Sequence, residues 1–169
     1  GYDYDRLYLN RSGEVFEEVG YLLGVSQQLD SRNVVADDVT QDGRMDVIVT
    51  SFEIWPEPKQ TLRVFQNHLP SVGNWIAFEF GRNETIHSPM GVQISIGYKD
   101  RRLVDEIVSG DSYRSQHAYR LHFGVGTESV IPNVMVRWPD GHELAVPQLE
   151  ANRTYRVYRD RIDRTSGRG

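Results

Sequence analysis

The sequence predicts an all-β protein in two parts. Three observations carry that prediction: short apolar runs separated by Gly, Asn, Asp, Ser or Pro, little helical periodicity, and period-two alternation in the second half. In the first part, strands are expected over 7–10, 15–19, 34–36, 47–50 and 62–65. Residues 17–23 suit a short helical turn, and Gly20 and Gly24 prevent a longer helix. After Pro70 a second series is expected over 75–80, 92–96, 103–108, 119–123, 134–138, 144–146 and 155–158. Seven short strands with regular turns predict a sandwich or barrel. Val92, Ile94 and Ile96, like Val134, Val136 and Trp138, alternate and belong on a core face. The expected organisation is 1–70, 71–159 and a disordered tail, 160–169, rich in Arg, Ser, Thr and Gly.

Composition limits the function classes. The 169 residues suffice for one good core or two small ones, and 38% hydrophobic with 25% charged residues describes an ordinary soluble domain. A net charge of -5 argues against a nucleic-acid partner. With no cysteine there is neither a disulfide scaffold nor a zinc-thiolate site. No apolar run reaches membrane-spanning length, and no signal-peptide pattern begins at Gly1. An extracellular location therefore requires a removed leader or a longer parent chain.

The most specific motif lies between the third and fourth expected strands. Asp38, Thr40, Asp42 and Asp46 place side-chain oxygens at positions 1, 3, 5 and 9 of a loop, with Gly43 at 6 and the Arg44 carbonyl at 7. A hard cation takes six to eight oxygens, and alternate residues of a tight loop supply them while glycine permits the bend. Val49 stands where an EF-hand needs its glutamate, so the loop is a strand-borne calcium site or a metal-free Asx-type turn. Thr40 in place of a carboxylate weakens the site to a dissociation constant of about 10⁻⁴ to 10⁻³ M, the range of extracellular modules. Strand alternation points the neighbouring Asp37 the other way.

A partial repeat adds architecture. Residues 7–10 recur in type at 64–67 and enclose this single loop, and Val47, Ile48 and Val49 run apolar without alternation, as in a strand covered on both faces. The fold class expected is a single propeller-type blade followed by a β-sandwich or barrel-like domain; a small two-layer domain is the alternative. The stretch NVVADDVTQDGRMDVIVTSFE resembles the FG-GAP or VCBS type of repeat, whose blades carry a DxDxDGxxD calcium loop, and Thr40 is the departure. The second part, from about Asn74 to Tyr158, resembles the ASPIC/UnbV domain in MGVQISI, SGDSYRSQHAYRLHFGVG, VMVRWPDG and LEANRTYRV. Together the halves resemble the carboxy-terminal portion of a cartilage-acidic-protein-like chain. The resemblance implies calcium-assisted structure and interaction outside the cell, at its surface or in the periplasm, with no established catalytic activity to transfer.

The second part carries one polar loop of note. Asp111, Ser112, Tyr113, Ser115, Gln116 and His117 combine hydroxyls, an aromatic ring, an amide, a carboxylate and an imidazole, an inventory suited to a glycan or protein partner. Its alternative is a corner whose side chains satisfy their own backbone. The glycines around Gly124 and Gly126 fit neither nucleotide-loop pattern, and the histidines show no zinc spacing. His122 either points to the side opposite the core or is a hydrogen-bonded interior histidine, the latter being expected over a catalytic role, and Trp138 is expected to be a core residue. Three Asn-x-Ser/Thr triplets, at Asn10, Asn83 and Asn152, match the glycosylation pattern. Asp105 and Glu106 point to opposite sides of a strand, and Ser112 or Ser115 with His117 and Asp111 lacks a nucleophile elbow. An interaction module is thus the leading expectation. The alternatives are a hydrolase or polyketide-tailoring domain that encloses Asp111, Tyr113 and His117, and a structural cap in broad contact with a propeller. Unpaired strand edges make self-association an expected property.

Overall fold

The computed structural model describes residues 3–11, 13–70, 73–80 and 88–165. Among them lie thirteen strands and no helix. The short helical turn is a single turn, in which the Leu23 amide donates to the Val19 carbonyl at 3.0 Å.

The first part differs from a single four-stranded blade. β1 (Tyr8–Arg11) and β2 (Val15–Glu18) form a hairpin, whereas β3 (Ser31–Asp37), β4 (Asp46–Glu53) and β5 (Lys59–Phe65) form a separate antiparallel sheet. The chain between β2 and β3 is spent on the turn and on Gln28, which bridges back to Tyr4. β2 therefore does not extend the sheet at the β3 edge. Ile48, Phe52, Leu62 and Val64 share one face of that sheet by their register. Phe52, Leu62 and Val64 are exposed there, and Val34 is exposed on the opposite face.

The second part is a two-sheet sandwich rather than a closed barrel. One sheet orders β11 (Glu143–Glu150), β10 (Val130–Arg137), β7 (Gln93–Tyr98) and β8 (Arg101–Glu106); the other orders β13 (Ile162–Arg164), β12 (Arg153–Val157), β6 (Asn74–Phe80) and β9 (Arg120–Gly126). No ladder joins the two sheets among the described residues, and a single apolar cluster draws on both. Val92, Ile94, Ile96 and Val136 are fully buried in it, and Trp138 is 4% exposed. At its centre Phe78 meets the edge of Phe123 with ring centroids 6.0 Å apart. The Tyr155 hydroxyl donates to the Glu150 carbonyl, accepts from its amide, and is held above the usual phenol value by burial.

Residues 161–165 differ from the disordered tail expected over 160–169. Ile162–Arg164 pair antiparallel with β12, placing the partly buried Ile162 beside the core. Ile162 opposite Val157, with the Thr165 amide and hydroxyl both donating to the Thr154 carbonyl, anchors a three-residue strand that polar composition concealed.

Candidate functional site

The Asp38–Asp46 loop is built from its own carboxylates. Both Asp38 oxygens accept backbone hydrogen bonds, from Asp42 at 3.0 Å and Gly43 at 2.9 Å. Asp42 accepts from the Arg44 amide at 3.0 Å. Asp46 ties the loop to both flanking segments, accepting from Val39 at 3.1 Å and Asn67 at 2.8 Å. Asp38 is 3% and Asp46 1% exposed, so these bonds replace the hydration that burial removed. Gly43 has φ +86°, a backbone region that a side chain makes costly.

The outer face of the second sheet receives this loop. On β6 and β9 the residues opposite the core-facing Ile76, Phe78, Leu121 and Phe123 are Trp75, Ala77, Arg120 and His122. His122 Nε2 lies 3.1 Å from the Gly43 carbonyl, and its ring stacks on Trp75 with centroids 5.5 Å apart and 13° between planes. Arg120 reaches Asp37 at 3.5 Å and Asp38 at 3.7 Å, and its Nη2 donates to the Thr154 hydroxyl at 3.2 Å. Asp37 thus shares a cation with Asp38, in contrast to the expectation that it would point away. Arg120 Nε is buried with no partner among the described residues. Ala77 is fully buried although it lies on this outer face.

His122 is held below its ordinary pKa, chiefly by burial; the Gly43 carbonyl opposes the shift and Arg120 adds to it. Because the folded value is depressed, the unfolded chain takes the proton first as pH falls below about 6.5, and stability is lost through that range. Urea midpoints at pH 7.5 and 5.5 should fall less steeply in His122→Gln than in the parent protein. A parallel decline in both would assign the pH dependence elsewhere.

As a cation site the loop fits only in part. Its donors are oxygens, as a hard ion requires, and each carboxylate oxygen keeps a second lone pair. Yet Asp38, Asp42 and Asp46 do not converge, and among the described residues no group of three or more His, Cys, Asp or Glu is arranged to hold a metal. Thr40 is exposed at the rim of a groove, and Arg44 directs its guanidinium to the Asn67 carbonyl at 3.4 Å.

The polar loop at 111–117 is largely committed to structure. Ser112, 8% exposed, accepts from the Val34 amide at 3.1 Å, and Asn33 Oδ1 accepts from the Arg114 amide at 2.8 Å. The loop is therefore a second point of attachment between the two parts. Ser115 hydrogen-bonds back to Ser112, and Gln116 bonds to the backbone of Val108, Gly110 and His117. Asp111 and His117 approach to 3.5 Å, but Tyr113 is 66% exposed and lines a different groove from His117. The enclosure of Asp111, Tyr113 and His117 expected of a hydrolase is not formed. Of the glycosylation triplets, Asn152 donates its amide to Asn74 at 2.9 Å, while Ser12 and the Asn83 triplet, like His87, lie outside the described residues.

These contacts sit on a sandwich whose sequence is recognisable. Residues 83–163 match the ASPIC and UnbV family model. That stretch is an ASPIC/UnbV-type domain. No curated protein matches the chain. Within the ASPIC/UnbV-type stretch lie β7 to β12, with both Arg120 and His122, and it ends inside β13. No helix of the described residues is long and apolar enough to cross a membrane. Sequence reasoning overlooked Arg120 and Trp75 as site residues and gave His122 no defined partner. Their one signal was alternation: each is a bulky or charged residue on the face of its strand opposite the core.

Proposed function

We propose that this chain is a calcium-stabilised interaction module, the carboxy-terminal portion of a longer propeller-type protein that acts outside the cell, at its surface or in the periplasm. The observation that carries this reading is the Asp38 loop, whose carboxylate cradles the Asp42 and Gly43 amides while Gly43 rests on Trp75 and His122. The loop works as a joint, because whatever orders it also orders the seat of the first sheet on the ASPIC/UnbV-type domain. The spacing of Asp38, Thr40, Asp42 and Asp46 supports calcium, held weakly since Arg120 already supplies positive charge at Asp38. Exposed Phe52, Leu62 and Val64 support a role for the first sheet as an FG-GAP/VCBS-type blade, whose neighbours would cover that face. A glycan or protein is the class of partner this reading implies, and the β5 edge favours self-association.

Thermal unfolding in calcium tests the reading. At ten times the dissociation constant a ligand of the folded state adds ~1.4 kcal/mol, which raises the melting temperature of a chain this size by roughly 3–6 °C. Chelator should reverse the shift and Asp42→Asn should reduce it. A melting curve that does not move between chelator and millimolar calcium would remove the cation from the proposal.

A further inference from the structure

We propose that the outer face of the second sheet carries a binding site for an acidic oligosaccharide, bearing sulfate or carboxylate groups, in the groove beside the Asp38 loop. This goes beyond the calcium-stabilised joint and does not require it. The groove has a volume of about 840 Å³, within the range of small-ligand sites. Four arginines line it, Arg120, Arg153, Arg156 and Arg164, against two carboxylates, Asp38 and Glu79. A local excess of positive charge therefore sits in a chain of net charge -5.

The register explains half of the concentration. Glu79 of β6 pairs with Arg120 on β9 and with Arg156 on β12, and Arg156 pairs in turn with Asp163 on β13, whose carboxylate Arg161 engages at 2.9 Å, so guanidinium and carboxylate alternate along this row. Arg153 and Arg164, opposite the core-facing Ile76 and Tyr155, reach the groove from the end of the sheet. The Glu79 carboxylate lies 3.7 Å from Arg156, and the Asp38 carboxylate is already engaged by two loop amides and Arg120. Arg164 is exposed and has no carboxylate partner within salt-bridge distance among the described residues. Arg153 holds only a 3.8 Å contact to the exposed Glu150. Exposed ion pairs of this kind are weak, so an incoming anion displaces them at little cost. Guanidinium forks match sulfate and carboxylate oxygens in pairs. Trp75 and Thr165 line the same groove, adding an aromatic edge and a hydroxyl that donates to the Thr154 carbonyl at 2.8 Å and keeps its oxygen as an acceptor for a sugar hydroxyl, a complement that a bare inorganic anion does not require.

Isothermal titration of the full chain, in low-salt buffer with chelator, tests the site independently of calcium. The probes are a heparin-derived sulfated oligosaccharide, an oligogalacturonate, a neutral dextran oligosaccharide and a duplex oligonucleotide. One or both acidic saccharides should bind, with affinity falling as salt screens the charges, and their ranking distinguishes sulfate from carboxylate. Arg156→Ala with Arg164→Ala should weaken binding by about tenfold or more, as loss of charge-assisted bonds does. Arg153→Ala alone should weaken it severalfold and serves if the double variant folds poorly. Arg101→Ala with Arg102→Ala, on the other sheet, should leave it unchanged. Absence of binding to both acidic saccharides, equal binding by the groove variants, or binding to dextran or duplex that is as tight would overturn the proposal.

Discussion

Asp38→Ala should cost about 3 kcal/mol of unfolding free energy, since it strands Arg120 and two loop amides in a buried setting. The side chain of Asp38 is fully buried and that of Arg120 is 12% exposed, so water replaces little of what is lost. The effect should not be additive with Arg120→Ala. Groups that share one buried network couple by about 0.5–3 kcal/mol, and the double variant should be correspondingly less damaged than the two single losses imply. Urea denaturation of the four proteins measures this coupling. Strict additivity would mean that the loop carboxylate and the sheet arginine do not stabilise each other, and the joint would lose its electrostatic basis.

Gly43→Ala is expected to be as costly, about 3 kcal/mol, from two separate sources. A Cβ at this position would stand 1.7 Å from Trp75 Nε1, and the residue holds φ +86°. The first source is steric and the second is conformational. Combining Gly43→Ala with Trp75→Ala relieves only the steric part, so the Gly43→Ala penalty should shrink but persist in that background. Urea midpoints of the single and double variants separate the two. A Gly43→Ala protein as stable as its parent would show that the loop does not rest on the indole.

Much of the strand order is legible in the sequence because its signals are local. Val92, Ile94 and Ile96 announce a core face through side-chain alternation alone, and the structure buries all three completely. The turn around Gly43 is legible for the same reason, since acid spacing and one glycine suffice to bend a loop. The last strand was not, because Ile162 is a single apolar residue in a polar tail and its partner, β12, is the only thing that gives it meaning. The split of the first part into a hairpin and a three-stranded sheet was hidden too. Apolar runs mark where strands are, but they do not say which edges meet.

The candidate site divides along the same line. Asp38, Asp42, Gly43 and Asp46 can be picked out from spacing, and so can the polar residues Ser112 and His117, although the tertiary structure turns Ser112 into an attachment point for β3. Arg120, His122 and Trp75 have no local motif. They are ordinary outward residues on strands until β6 and β9 pair and the distant loop comes down on them, with His122 reaching a carbonyl 79 positions away. By itself the sequence determined the positions of all the strands but the short last one, the buried faces of the second part and a loop able to bend around its own carboxylates, all consequences of interactions among near neighbours. Only the tertiary structure decided what that loop touches and where four arginines gather, because cross-strand register is set by non-local pairing and packing that no short stretch encodes.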